Sequence, residues 1–90
     1  MRLDKYLKIS RVIKRRTLAK DIIDIGLVKI NNKKAKPSSE VKEHDVLELT
    51  LGERILLIEV LSLASFSSKE KASEMYRIIN EKVIKNDSQS

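Results

Sequence analysis

The sequence passes directly from a helical pattern to a strand pattern at Gly26, and this junction limits the folds that the chain can adopt. Just before it, Thr17 is a suitable N-cap residue because its hydroxyl can accept a hydrogen bond from a free N–H group of a first helical turn. Leu18, Ile22 and Ile25 recur at helical spacing, and Gly26 suits the left-handed conformation that ends many helices. We therefore predict a helix from Thr17 to Ile25 whose apolar stripe is buried.

Strand patterns follow the junction. Residues 27–30 alternate along the chain, which places Val28 and Ile30 together on one face. Asn31 and Asn32 come next, and asparagine tolerates the positive φ angles of a tight turn. Further strands are predicted at residues 46–51 and within residues 53–63.

Helical patterns also occur at both ends of the chain. The first ten residues predict a short helix with Leu3 and Leu7 buried, and Asp4 is expected to pair with Lys8 on its outer surface. Near the other end, a third helix is predicted from five apolar positions at helical spacing: Ala72, Met75, Tyr76, Ile79 and Val83. The order helix, helix, strands, helix indicates a small α+β domain with antiparallel strands linked by hairpins.

Composition bounds the size and class of the domain. With 90 residues the chain is expected to form one domain over residues 1–85, followed by a flexible polar tail at 86–90. Hydrophobic residues make up 41% of the chain but aromatic residues only 3%, so the core must be aliphatic. The absence of cysteine excludes disulfides and thiol catalysis. The first residues are charged rather than an apolar signal segment, so we expect a cytoplasmic protein.

Positive charge is concentrated in the first third of the chain. Residues 1–36 contain 12 Lys and Arg against 3 Asp, a net charge of +9, whereas residues 37–90 contain 7 Lys and Arg against 10 Asp and Glu, a net charge of −3. Such an asymmetry indicates an anionic partner, and nucleic acid is a more common partner than a membrane for a small basic domain.

The region around Gly26 resembles the S4 RNA-binding domain, a family named after a small-subunit ribosomal protein. Its pattern is matched by the following residues: Arg16, Thr17, Ala19, Ile22, Ile23, Gly26, Val28, Ile30 and Asn31, with Lys36, Pro37 and Ser38 downstream. The resemblance extends from Met1 to about Leu49. Two positions depart from the family, since Asn32 and His44 stand where glycine is usual. Asparagine and histidine tolerate left-handed geometry better than most residues, so we expect the turns to keep their shape.

By resemblance to this family, a set of exposed polar side chains is expected to contact RNA: Arg2, Arg11, Arg15, Arg16, Thr17, Lys20 and, more weakly, Lys36. Arginine can give two parallel hydrogen bonds to a phosphate, which lysine cannot. The first-turn N–H groups at Thr17 can also bind a phosphate. Arg16 and Lys20 lie opposite the predicted core stripe and are the strongest of these predictions.

Other polar residues favour structural roles. Asp21 and Asp24 are more consistent with limiting repulsion among the cations than with acid–base catalysis. His44 is the only histidine and is predicted to lie in a turn. The sequence contains no Gly-rich phosphate loop, nucleophile elbow or metal-ligand spacing, so a non-enzymatic protein without metal or cofactor is expected.

The three aromatic residues bear on the kind of RNA that the domain recognises. Stacking on unpaired bases requires exposed rings. Tyr6 and Tyr76 lie next to or within apolar stripes and are predicted to pack in the core, while Phe66 lies in a Ser-rich segment and has no assigned role. Structured RNA is therefore the favoured partner over single strands.

The resemblance is strongest to the short, single-domain S4 proteins of ribosome-associated quality control. It implies binding to large-subunit rRNA and to peptidyl-tRNA on an obstructed subunit. It also implies cooperation with RqcH, which recruits alanyl-tRNA to add an alanine tail. A monomer is expected.

Two alternatives remain open at this point. The chain can be an S4 accessory protein in ribosome assembly or rRNA modification, although the proteins that modify rRNA usually carry a catalytic domain as well. It can also be a helix-turn-helix protein that reads DNA. The outward positions of the second helix show Lys20 and Asp24 rather than base-reading Asn, Gln or Arg, which argues against the latter.

Overall fold

The computed structural model describes residues 1–63 and 69–84, which form a small α+β fold. The helices are α1 (Leu3–Ile9), α2 (Arg16–Asp24) and the single-turn α3 (Lys69–Ala72). The strands are β1 (Val28–Ile30), β2 (Lys33–Lys34), β3 (Val46–Leu51), β4 (Arg54–Val60) and β5 (Tyr76–Val83). All neighbouring strands are antiparallel, and their order in the sheet is β2-β1-β3-β4-β5. The predicted fold class is confirmed.

A mainly aliphatic core joins the two long helices to the sheet. It contains the following buried side chains: Leu3, Tyr6, Leu7, Ala19, Ile23, Val28, Leu47, Leu49 and Ile58. Leu3, Leu7 and Tyr6 are therefore buried as predicted. The Tyr6 hydroxyl donates a hydrogen bond to the Met75 carbonyl at 2.7 Å, so this buried polar group has a partner. Burial, with the nearby Tyr76, raises the pKa of Tyr6 far above its ordinary range.

The turns have the left-handed geometry that the sequence predicts. Gly26, immediately after α2 and its last cap residue, has φ +89°. Asn31 and Asn32 have φ values of 49° and 71°, and His44 has φ 73°. Asn31 also links the β1–β2 hairpin to β3, because its Oδ1 accepts a hydrogen bond from the Val46 N–H at 2.9 Å. Asparagine and histidine thus replace glycine here while the turn conformation is kept.

The predicted burial of α2 is partly wrong. Leu18 and Ile25 are 48% and 71% exposed, whereas Ala19 and Ile23 are fully buried. This short helix has two adjacent stripes, one with Leu18 and Ile25 and one with Ala19 and Ile23. The stripe with the small Ala19 side chain faces the core. Residue spacing identifies an apolar stripe but does not decide which of two adjacent stripes is covered. Ile22, which borders both stripes, is half-buried.

The start of α2 also differs from the prediction. The helix begins at Arg16, and Arg15 is the N-cap residue, with φ −127°, ψ 138° and no side-chain capping hydrogen bond. Thr17 therefore lies inside the first turn, and its predicted role as N-cap is wrong.

The predicted C-terminal helix is wrong over most of its length. Helix α3 ends at Ala72, and Tyr76–Val83 is a strand paired with β4 from Val60↔Tyr76 to Arg54↔Val83. Ile78, Ile79 and Val83 are β-branched, which favours a strand, and pairing satisfies the edge hydrogen bonds of β4. The register shifts between Leu57 and Ile58, which leaves Ile79 as an extra residue in β5.

Two sequence features lie outside the described residues, namely Phe66 and the predicted tail at 86–90. Within residues 1–63 and 69–84, no helix is long and apolar enough to cross a membrane.

Candidate nucleic-acid interface

Asp4 is a buried carboxylate that lies between two half-exposed arginines. The Asp4 side chain is 0% exposed, whereas those of Arg2 and Arg16 are 47% and 45% exposed. Arg2 donates from Nε to Oδ1 and from Nη2 to Oδ2, both at 3.2 Å. Arg16 donates from Nη2 to Oδ1 at 3.4 Å, and its Nε lies 3.4 Å from Oδ2. The predicted pairing of Asp4 with Lys8 on the outer surface is therefore wrong.

The electrostatics of this cluster keep Asp4 ionised. Burial raises the pKa of its carboxyl group, but several donors lower it more: the side chains of Arg2 and Arg16, and the N–H of Lys5 at 2.7 Å. The net effect is a pKa below the ordinary value of 3.8. At neutral pH one negative charge is thus fixed between two positive charges.

Both guanidinium groups keep donors free for a further acceptor. A guanidinium carries five N–H donors, and Arg2 directs only its Nε and one terminal nitrogen to Asp4. Arg16 presents the same two nitrogens to the same carboxylate, with Nη2 near Oδ1 and Nε near Oδ2. The remaining terminal N–H groups are suited to phosphate oxygens.

Arg11 and Arg15 lie in the connection between α1 and α2. Arg11 follows the α1 C-cap residue with φ 62°, and its N–H donates to the Lys8 carbonyl at 3.1 Å. Arg15 immediately precedes α2. Both side chains are exposed, so the connection presents two cations next to the start of α2.

Thr17 and Lys20 are exposed on α2 itself. The N-cap residue Arg15 makes no side-chain capping hydrogen bond, so the first-turn N–H groups at Arg16 and Thr17 are not capped by it. The positive end of the helix dipole therefore adds to the charge of the arginine side chains.

Lys36 is brought next to the Asp4 cluster by a tight loop. The Ser39 hydroxyl accepts from the Lys36 N–H at 2.9 Å, and the Ser39 carbonyl accepts from the Leu3 N–H at 2.8 Å. The Pro37 carbonyl accepts from the Asp4 N–H at 3.2 Å. The loop backbone thus lies directly against the N-terminal end of α1, and the exposed Lys36 side chain extends from it.

These residues are here called the basic helical surface: Arg2, Arg11, Arg15, Arg16, Thr17, Lys20 and Lys36. All seven are exposed. Hydrogen bonds join Arg2, Arg16 and the loop of Lys36 around Asp4, whereas Arg11 and Arg15 are placed by the interhelix connection and Thr17 and Lys20 by α2.

Sequence reasoning missed Asp4, although a signal for it was present. Asp4 follows the buried Leu3 and lies one helical turn before Leu7, so it borders the buried face of α1. A carboxylate in that position requires cationic partners. The nearest cations in sequence include Arg2, which is one of the two partners found.

A second carboxylate with two side-chain partners lies on the sheet. Glu59 Oε1 accepts from Arg77 Nε at 2.6 Å, and Glu59 Oε2 lies 3.1 Å from Nδ1 of His44. Hydrogen bonds from His44 and Arg77 lower the pKa of Glu59 more than burial raises it. The prediction that His44 is a turn residue is confirmed, and no group of three metal-binding side chains occurs among residues 1–63 and 69–84.

Arginines at the starts of two helices, Arg2 as the cap of α1 and Arg16 as the first residue of α2, together with an antiparallel sheet that follows Gly26, place the chain in a class of small RNA-binding domains. The chain belongs to the S4 domain family, whose pattern it matches over residues 1–47.

Several relatives that match about nine-tenths of the chain share one name. The chain is 49% identical over 81 residues to "RQC P-site tRNA stabilizing factor" (RqcP) of Streptococcus pneumoniae, which covers 90% of this chain and 92% of that protein. It is 48% identical to the protein of the same name from Bacillus subtilis, over 90% of this chain and 94% of the relative. Among solved structures, Heat Shock Protein 15 of Vibrio cholerae, described as trimeric, superposes with a TM-score of 0.81 at 30% identity, over 87% of this chain and 80% of that one.

Proposed function

We propose that this protein is a non-catalytic RNA-binding factor that docks on the rRNA of the large ribosomal subunit through the basic helical surface. The observation that carries the proposal is the arrangement of Arg2, Arg16 and the loop of Lys36 around one buried carboxylate. Membership of the S4 domain family and the names of the relatives support a ribosome-associated RNA-binding role.

The finer role that we propose is stabilisation of peptidyl-tRNA in the P site of an obstructed large subunit. The name shared by the relatives supports this role. In this proposal the protein acts in the cytoplasm, without a cofactor and as a monomer. It holds the peptidyl-tRNA between rounds of alanine addition while RqcH delivers alanyl-tRNA.

The physical basis is neutralisation of RNA phosphates on a rigid support. Each cation that replaces a counterion on the RNA contributes to affinity and makes binding depend on salt. Arginines whose geometry is already fixed lose less conformational freedom on binding than free side chains do. Contacts of this kind to backbone and shape suit structured RNA, in which base edges are poorly accessible.

A co-sedimentation experiment tests the proposal. Wild-type protein, Arg16→Ala and the control Lys82→Ala are compared for association with large subunits on a gradient. Lys82 is also an exposed cation but lies on β5, away from the basic helical surface. We expect Arg16→Ala to lose most of the association and Lys82→Ala to keep it. Equal association of both folded variants would contradict the proposed surface.

Two further readouts separate the alternatives. Competition between a structured rRNA fragment and duplex DNA should favour the rRNA, and preference for the duplex would support a DNA-binding helix-turn-helix instead. The RNA that co-sediments with the tagged protein should be large-subunit rRNA together with tRNA. Association with rRNA precursors in place of tRNA would support a role in assembly.

A further inference from the structure

We propose that Asp4 is a positioning residue for RNA recognition, an inference that rests on the proposed function. In this role Asp4 does not touch the RNA. It holds the guanidinium groups of Arg2 and Arg16 against the same carboxylate, so that their remaining N–H groups are available together to the phosphate backbone.

The charge of Asp4 makes this role distinguishable from simple electrostatic attraction. A carboxylate between two arginines reduces the positive charge of the basic helical surface by one unit, which by itself weakens attraction to RNA. Asp4 also loses all of its hydration on burial, a cost that only its donors offset. The benefit that we infer is pre-organisation, because two long and otherwise mobile side chains are fixed before RNA arrives.

The geometry supports positioning over a purely structural ion pair. Asp4 is fully buried, yet nearly half of each arginine side chain remains exposed. Each arginine presents the same two nitrogens, Nε and Nη2, to the carboxylate, which leaves equivalent free edges on both. The loop that carries Lys36 contacts the same end of α1, because the Pro37 carbonyl accepts a hydrogen bond from the Asp4 N–H.

A pair of isosteric variants gives opposite expectations for the two explanations. Asp4→Asn and Asp21→Asn each raise the net charge by one unit. Asp21 is exposed and lies one helical turn after Thr17, so it serves as a matched control next to the same surface. If only charge matters, both variants bind an rRNA fragment as tightly as the wild type or more tightly.

We expect Asp4→Asn to bind the rRNA fragment about tenfold more weakly than the wild type, equivalent to about 1.4 kcal/mol. We expect Asp21→Asn to bind at least as tightly as the wild type. The dependence of affinity on salt should also fall for Asp4→Asn, because the slope decreases by about one for each phosphate that the protein no longer neutralises. A folded Asp4→Asn protein that binds as tightly as Asp21→Asn would overturn the proposal.

A measurement on the wild-type protein tests the same inference without the Asp4→Asn variant. In NMR spectra of the free protein, the Nε–H signals of Arg2 and Arg16 should exchange with water much more slowly than that of Arg15. They are assigned through Arg2→Lys and Arg16→Lys. Equally fast exchange of all three signals would show that Asp4 does not hold the arginines. Failure of the wild type to bind rRNA would instead contradict the proposed function, and the exchange measurement would still test Asp4.

Discussion

The helical half of the molecule and the β4–β5 strand pair both place a carboxylate between two nitrogen-bearing side chains, but they do so in different surroundings. Asp4 is fully buried and bonds to arginines from the N-terminal segment and from α2. Glu59 remains partly exposed and contacts Arg77 and His44 on the sheet. The Asp4 contacts link the starts of α1 and α2, whereas the Glu59 contacts lie on the surface of the sheet.

Apolar side chains show the same contrast. In α1 the apolar residues Leu3, Tyr6 and Leu7 are fully buried, whereas Ile78 and Val83 of β5 are more than half exposed. The helical half therefore gains most of its stability from packing, whereas β5 depends more on its backbone hydrogen bonds to β4. A binding surface that needs fixed side chains is better supported by the first kind of region.

The largest expected difference between the two halves concerns packing. Ile23→Ala removes a buried side chain from α2 and should lower the free energy of unfolding by about 3 kcal/mol. Ile78→Ala removes an exposed one from β5 and should cost about 1 kcal/mol or less. Urea denaturation measures both. Similar losses of unfolding free energy for the two variants would show that β5 is packed as tightly as the helices.

A smaller difference is expected between the two carboxylates. Asp4→Ala should destabilise the protein by about 2 kcal/mol, because it leaves two arginines that can be only partly rehydrated. Glu59→Ala should cost less, since its partners lie at the surface and are already hydrated. Thermal denaturation measures both variants, and a larger loss of stability for Glu59→Ala than for Asp4→Ala would contradict this expectation.

The contribution of the Asp4 ion pairs to the stability of the fold should depend on pH in the acid range. The pKa of Asp4 is lowered in the folded state, so its contribution to stability is complete above the ordinary value of 3.8 and is lost as pH falls through the lower folded value. The stability difference between wild type and Asp4→Asn should therefore shrink between about pH 5 and pH 2. Glu59→Gln should show the same sign with a smaller change. A difference that is independent of pH would mean that the Asp4 charge does not stabilise the fold.

The smallest expected effect is on the salt dependence of RNA binding. Lys20→Ala should lower the slope of log affinity against log salt by about one, as expected when one phosphate is no longer neutralised. Lys82→Ala, a substitution in β5, should leave this slope unchanged. Filter binding of an rRNA fragment at several salt concentrations measures both, and a reduced slope for Lys82→Ala would extend the interface onto the sheet.

Local sequence signals predicted the parts of the fold that depend on local conformation. Gly26 ends α2, Asn31 and Asn32 form the turn, and the strand at Val46–Leu51 is found with the predicted bounds. These features follow from backbone preferences of single residues and from alternation along the chain, which need no knowledge of distant contacts.

Apart from the start of α2, the main errors depended on tertiary contacts. The apolar residues from Tyr76 to Val83 fit a helical period, but β4 offers an unpaired edge that makes a strand more favourable. The exposure of Leu18 depends on which side of α2 meets α1, and the burial of Asp4 depends on Arg16, twelve residues away. The arginines of the candidate site were predicted by family resemblance, whereas the carboxylate between them required the three-dimensional arrangement.

The ends of the sheet have a consequence for how the protein behaves at high concentration. One edge strand, β2, consists of only two residues, Lys33 and Lys34, and the other, β5, is bulged at Ile79 and carries Arg77 and Lys82. Short length, lysine and a bulge each oppose the addition of a strand from a neighbouring molecule. The exposed isoleucines of β5 thus lie on an edge that opposes strand addition, which limits aggregation of this small, largely aliphatic fold.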